Sequence, residues 1–272
     1  MFVFVSLSVT MKKINKGEAP NRLGAFKAAH PDALWEKDKE SIGEAFRCCS
    51  ARYQETQQQL RTDQGNLCAY CEQDLLAGTN GALDDCRIEH FHPKSRREPG
   101  EPNWGLEWTN LLAVCCGGNQ RNVVNHEQRF DSESKNYSCD VPKDDKILDA
   151  IILNPLQLPH LNVWNFNRST GLITVNESSC QSNGLNVEMA RKTIDELNLN
   201  SPRLTRARKA VLDSLNNNIQ DIVNSGRTID YAIGLIAKSV LRKNRAGDWP
   251  SFFSAIRFYL GQQAEENLVH PL

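Results

Sequence analysis

The knuckle Cys68-Ala69-Tyr70-Cys71 restricts what this chain can fold into more than any other feature. Two thiols two residues apart on a tight turn aim at one tetrahedral ion, with sulfur–metal distances of about 2.3 Å. The surrounding stretch needs such a staple. Residues 67–145 hold six of the nine cysteines and three of the six histidines, and Gly78, Gly81, Pro93, Pro99, Gly100, Pro102, Gly117 and Gly118 divide them into loops. A module so rich in loops buries too little apolar surface to hold itself by packing alone. A redox pair would sit between a strand and a helix, whereas this one follows a helical stretch and a turn, so metal is the preferred reading.

A tetrahedral ion needs two further ligands, and no second CxxC exists, because Cys115-Cys116-Gly117-Gly118 fails at its fourth position. Cys139 is the best fourth ligand. Cys115 is preferred to Cys116 because it closes an apolar run, and Cys86 is a substitute. Metal rather than disulfide also follows from the expected compartment. Residues 1–10 are apolar but too short to span a bilayer and lack a basic start, and Met11-Lys12-Lys13 reads as a natural beginning, so residues 1–11 are expected to be an extension. No other apolar run approaches about 20 residues, so a cytoplasmic protein without membrane contact is expected, with its thiols reduced.

Flanking the cysteine module, residues 12–36 contain Pro20 and Pro31 and read as a loosely structured arm. Residues 35–62 read as one helix, with Ile42, Phe46, Cys49 and Tyr53 on one face and Cys48 and Cys49 as small buried side chains. Asp63-Gln64-Gly65-Asn66 ends it with turn chemistry. Residues 87–91 and 111–114 are strand candidates. Residues 146–180 form a connector broken at Asn154-Pro155 and Leu158-Pro159, with a hairpin turning at Arg168-Ser169-Thr170-Gly171. From Asn186 onward the pattern is helical. Ser201-Pro202 starts a helix carrying Leu204, Arg208, Val211, Leu215, Ile219 and Ile222, another holds Leu235, Ile236, Val240 and Leu241, and a last one follows Pro250. Arg203, Arg206, Arg208 and Lys209 read as an exposed face.

The chemistry concentrates in Ile88-Glu89-His90-Phe91-His92-Pro93. Adjacent strand residues point to opposite faces, so one of Glu89 and His90 can bind a metal while the other meets solvent and substrate. Asn110 precedes the buried run that leads to Cys115. In Cys139-Asp140-Val141-Pro142-Lys143-Asp144, Asp140 and Asp144 share a face if a helix begins there. Lys94, Arg96 and Arg97 are placed to grip phosphates, a solvated loop being the equal alternative. Trp104 and Trp108 read as packing beside the metal module rather than as base-stacking groups. The formal charge of −1, from 32 basic and 33 acidic residues, supplies no global field for nucleic acid, so any such contact rests on a local patch.

In this order CxxC, EHxxP, WxNLLxxC and CDxxK resemble the HNH, or ββα-metal, nuclease pattern. CAYCE, EHFHPKS, NLLAVC, CD..K and the later NPL are similar to the PtuB subfamily, the nuclease subunit of Septu and retron-linked anti-phage defence systems, and the similarity continues through residues 197–204. The resemblance implies an α+β, mostly helical fold. A ββα-metal HNH module with structural zinc would cover residues 63–158, preceded by an N-terminal arm and helix over 12–62. A hairpin plus helical, partner-docking region would cover 159–272. It implies His90 as general base and Asn110 as the residue that holds the loop and orients it. It also implies Glu89 and Asp140, with Asp144 as helper, as ligands of a catalytic Mg²⁺ or Mn²⁺. Glu89 and Asp140 depart from the commoner Asp and His or Asn at their positions. His92 remains a rival base and His126 a rival third ligand.

The function so implied is metal-dependent cleavage of DNA phosphodiester bonds, with RNA such as tRNA as the alternative substrate. A non-catalytic zinc scaffold and a redox protein are competing classes. The implied partner is a PtuA-type ABC/SMC-like ATPase. No GxxxxGK[ST] occurs here, so ATP use would lie in that partner.

Overall fold

Strand β1 (Arg87–His90) pairs antiparallel with β2 (Leu111–Val114), placing Glu89 opposite Leu112 and His90 opposite Leu111. Every residue of β2 is buried, as its unbroken apolar sequence demands. This hairpin is the centre of a computed structural model that describes residues 14–37, 44–95, 97–158 and 162–269. Residues 1–13, Ile42, Arg96 and Pro159 lie outside the described residues.

The N-terminal region departs from expectation in two places. The arm contains a helix, α1 (Asn21–Ala29), which starts at Pro20, buries Leu23 and Phe26, and stops before Pro31. The helix expected over 35–62 begins only at Ser50, as α2 (Ser50–Asp63). Before it, residues 46–48 form one 3-10 turn and Cys49 is extended at φ −112° and ψ 110°. Aromatic packing outweighs the helical spacing: Phe46 stacks on Trp35 at 4.7 Å and meets Phe26 edge-on at 5.5 Å. Cys48 is therefore exposed and Cys49 half-buried, rather than both lying in a helix core. At the far end of α2 the Gln64 side chain acts as an extra strand partner, donating to the Ala113 carbonyl at 2.7 Å and accepting its N–H at 2.8 Å.

Beyond β2 the chain makes two one-turn helices, α3 (His126–Arg129) and α4 (Asp140–Lys143). The expected hairpin follows as β3 (Trp164–Phe166) and β4 (Ile173–Val175). Then come α5 (Glu177–Ser182), α6 (Val187–Glu196), α7 (Pro202–Asn224), α8 (Ile229–Val240), α9 (Phe253–Leu260) and α10 (Gln262–Val269). Asparagine and threonine caps set several starts: Asn186 accepts from the amides of Glu188 and Met189, and Thr228 from that of Tyr231. Pro202 opens α7, but Ser201 makes no side-chain cap bond. The fold is thus α+β, with helices predominating over two small sheets.

Helix α7 buries Leu204, Leu212, Leu215 and Ile219 together with Arg203 and Arg208. The exposed basic face expected from the sequence is corrected here, since these two arginines point inward. Among the described residues no helix is long and apolar enough to cross a membrane.

Candidate metal centre and active site

The four cysteines preferred on sequence grounds come together. The sulfurs of Cys68, Cys71, Cys115 and Cys139 lie within 4.8 Å of one another and all four residues are buried. Three sulfur pairs stand at 3.6, 3.7 and 3.9 Å. A tetrahedron with 2.3 Å metal–sulfur bonds requires edges of about 3.8 Å, so the donor set fits zinc. Local backbone explains the convergence. The knuckle is pinned by Ala69 N–H donating to Ala113 O at 3.0 Å and Glu72 N–H to Cys68 O at 3.0 Å. Gly117 has φ +61°, and a Cβ there would meet Ser138 O at 2.2 Å. Glycine alone lets the end of β2 run so close to residue 138, which brings Cys115 beside Cys139.

Cys86, Cys116 and His126 stay outside this cluster. Cys116 faces Asp84 and Asp85, Cys86 turns toward Arg87 O, and His126 is exposed against Phe130. Hydrogen bonds from the other three thiols hold the Cys115 thiol well below its usual range, as a metal-binding thiolate would be. Arg203 donates to Gln73 at 2.6 Å and to Ser138 at 2.8 Å, and the negative sulfurs of Cys115, Cys71 and Cys139 favour its charge against the cost of burial. A tetrathiolate zinc carries a net −2 charge, so a buried guanidinium beside it is compensation. The same region is tied to α9: Glu72 accepts from Ser254 N–H at 2.7 Å and from its hydroxyl at 2.5 Å.

Beside the cysteine cluster the polar groups form a second constellation. Glu89 pairs with Lys143 at 2.9 Å and accepts from Tyr70 Oη at 3.3 Å. Lys143 is fully buried and also donates to His90 O at 3.1 Å. Asp140 pairs with Arg87 at 3.4 Å, while its Oδ1 is buried without a hydrogen-bond partner. Burial pushes Asp140 up to about 7, with Arg87 opposing and Glu89 reinforcing the shift. Burial likewise raises Glu89 against the pull of Lys143. Among the described residues no third His, Cys, Asp or Glu joins these two carboxylates. Asp144, expected as a helper, is exposed with φ +50°, because α4 ends one residue before it. Lys143 takes the inward place instead. The i, i+3 spacing in Cys139-Asp140-Val141-Pro142-Lys143 was the signal for it.

His90 points away from Glu89, as strand alternation requires. It is 5 % exposed, meets Trp35 edge-on at 4.7 Å, and its Nε2 lies 3.3 Å from Gly105 O. Burial, with Lys94 and Lys143 nearby, drives it down to about 3. The residue that Asn110 grips is His92: Asn110 Oδ1 accepts His92 N–H at 2.7 Å and its Nδ2 donates to His92 O at 2.9 Å and Trp104 O at 2.8 Å. Asn110 thus clamps the loop, as the sequence implied, but holds His90 only through it. The His92 ring stacks near Trp104 at 4.6 Å and its Nδ1 lies 3.0 Å from Asp149 Oδ2. Lys94 and Arg97 are engaged by Glu36 at 3.7 Å and Asp32 at 3.0 Å. Trp108 covers Gly17 and Lys16, in keeping with a packing role.

A protein from Escherichia coli named "Retron Ec83 putative HNH endonuclease" is 36 % identical over 224 residues, which is 76 % of this chain and 81 % of that protein. The chain belongs to the retron HNH endonuclease family. A second member, from Vibrio cholerae serotype O1 biovar El Tor and named "Retron Vc95 putative HNH endonuclease", is 28 % identical over 158 residues, 57 % of this chain and 62 % of that protein. No family model matches the chain. The cysteine cluster and the Glu89–Asp140 pair adjoin each other, joined through Tyr70 Oη on Glu89 and the Cys139-Asp140 step.

Proposed function

We propose that this chain is a metal-dependent endonuclease that hydrolyses nucleic-acid phosphodiester bonds, with β1, β2 and α4 as its ββα-metal unit. The observation that carries the reading is Asp140 Oδ1, a buried carboxylate oxygen without a partner on a residue whose charge feels that of Glu89. Buried polar atoms are seldom left unsatisfied, and an orphan acid beside a second acid suits a hard divalent cation. Glu89 and Asp140 would hold Mg²⁺ or Mn²⁺, which when bound supplies Lewis-acid stabilisation of the phosphoryl oxygens.

His90 is the proton acceptor in this reading. Its Nε2–H is directed at the Gly105 carbonyl, which leaves Nδ1 bare as the basic nitrogen. Asn110 keeps the loop that carries this carbonyl in place. His92 is the second reading for the base, favoured by its carboxylate partner Asp149. Zinc in the cysteine cluster holds the module together and takes no part in the reaction. DNA is the leading substrate and RNA the second. A retron-linked role draws on the relatives' names, while the defence context and a separate PtuA-type ATPase partner draw on the motifs' resemblance to the PtuB subfamily.

The decisive experiment is digestion of plasmid DNA and of tRNA with Mn²⁺ by the wild-type chain, His90→Ala, His92→Ala and Asp140→Asn, with zinc content measured for each. Loss of cleavage in His90→Ala and Asp140→Asn at unchanged zinc supports the assignment. Cleavage retained in both sinks it.

A further inference from the structure

We infer that the phosphodiester-binding cleft lies beneath residues 31–37, and that in the resting chain this strap fills the cleft with its own carboxylates. The inference rests on the nuclease reading and adds to it the place of the substrate backbone and the group that guards it.

Three independent contacts put the strap there. First, it crosses the β1–β2 loop along the groups that close over the site. Asn103 donates to Pro31 O at 3.0 Å and Ala33 O at 2.9 Å. A Cβ on Gly105 would stand 3.5 Å from Trp35 Cβ, ordinary van der Waals contact, so the strap packs directly on this turn. Second, Trp35, itself buried, lies edge-on against His90 and separates that imidazole from water. Third, the strap's acids occupy the cations that follow the Glu-His pair. Asp32 bonds Arg97 at 3.0 Å, and Glu36, held by Arg47 at 2.5 Å through one oxygen, turns the other to Lys94 at 3.7 Å.

Carboxylate and phosphodiester oxygens present the same acceptor chemistry to lysine and arginine. A segment that sets acids on both cations and an aromatic ring on the base therefore imitates a bound strand. Its ion pairs are open to solvent, with Asp32 80 % and Glu36 48 % exposed, so a polyanion can exchange for them. The buried aromatic anchor sets the position of the strap, since Trp35 stacks on Phe46 and Arg47 N–H donates to Trp35 O at 3.0 Å. Arrival of a nucleic-acid strand would displace the acids, lift Trp35 and admit water to His90.

The test uses the full chain and a fluorescent 20-base-pair DNA duplex without added Mg²⁺ or Mn²⁺, so that binding is read without cleavage and the zinc is kept. The variant Asp32→Asn/Glu36→Gln is compared with wild type and with Glu133→Gln/Glu188→Gln, a matched charge change at two exposed acids elsewhere. Freed Lys94 and Arg97 should tighten binding by about tenfold and steepen the log–log salt dependence by about 1.8, for two phosphate contacts. With Mn²⁺ the same variant should cleave faster than wild type. Affinity and salt slope equal to wild type, or an equal gain in the control, overturns the strap. Wild-type cleavage alongside that result leaves the nuclease reading standing, whereas failure of the nuclease reading appears as no manganese-dependent cleavage in any variant.

Discussion

The cysteine cluster and the adjoining carboxylate pair handle buried charge in opposite ways. In the cluster four thiols converge on one point and a guanidinium stands beside them as counter-charge. The spacing of the sulfurs suits a single cation at their centre. In the carboxylate pair Lys143 already sits against Glu89 and Arg87 against Asp140. Four buried thiols suit a soft tetrahedral ion, while the two carboxylates are already neutralised by the chain's own cations.

The largest expected effect breaks the comparison on its stable side. Cys115→Ser should abolish zinc binding and cooperative unfolding, because apparent structural zinc affinities of about 10–16 kcal/mol exceed the stability of most domains. Elemental analysis and a thermal melt read this, and a well-folded, metal-free variant would show that packing alone holds residues 67–145. Next in size, Lys143→Met removes the ammonium facing Glu89 and should cost about 3–5 kcal/mol in chemical denaturation. Manganese should restore part of that loss, since a divalent ion can replace the missing charge; no recovery would mean the acids do not bind metal.

A smaller effect sharpens the contrast through pH. His90 is held down to about 3, against an ordinary value near 6.5, so below pH 6.5 the unfolded chain binds that proton first and stability falls. Asp140 is raised to about 7, so below pH 7 the folded chain binds its proton first and stability gains. Between pH 7 and 5 each contributes about 2 kcal/mol with opposite sign. Asp140→Asn should therefore lose stability over that interval relative to wild type, and His90→Asn should gain it. Urea midpoints at the two pH values decide the matter, and parallel behaviour of the two variants would contradict it. Smallest of all, Arg97→Gln should change stability by less than about 1 kcal/mol, because its pair with Asp32 is a surface one. A larger loss in the urea midpoint would show that the strap is held by its ion pairs rather than by Trp35.

Much of the metal centre is legible in the amino-acid order alone. The CxxC spacing fixes two ligands by local geometry, and Cys115 can be chosen because an apolar run must end before a ligand can turn inward. Cys139 follows from the same need for closure. The β1–β2 pair, the later hairpin and the long α7 are legible too, since each is set by periodicity and turn residues close in sequence. Local pattern misleads where distant packing decides. The spacing of Ile42, Phe46, Cys49 and Tyr53 mimics a helix face, yet Phe46 serves an aromatic cluster with Phe26 and Trp35. Asp144 shares a helical spacing with Asp140, but one turn of helix ends between them. Arg203 and Arg208 look like surface charges until the thiolates and carbonyls that receive them are in place.

By itself the sequence determined which atoms could meet a soft metal and on which strand an acid and an imidazole stand back to back. Those properties belong to residue type and to spacings of two to four along the backbone. The tertiary structure decided which cation answers which carboxylate, that Asn110 clamps His92 rather than touching His90, and that Trp35 covers His90. Such pairings join residues tens of positions apart, and burial and charge compensation are settled only when all the neighbours of a group are present together.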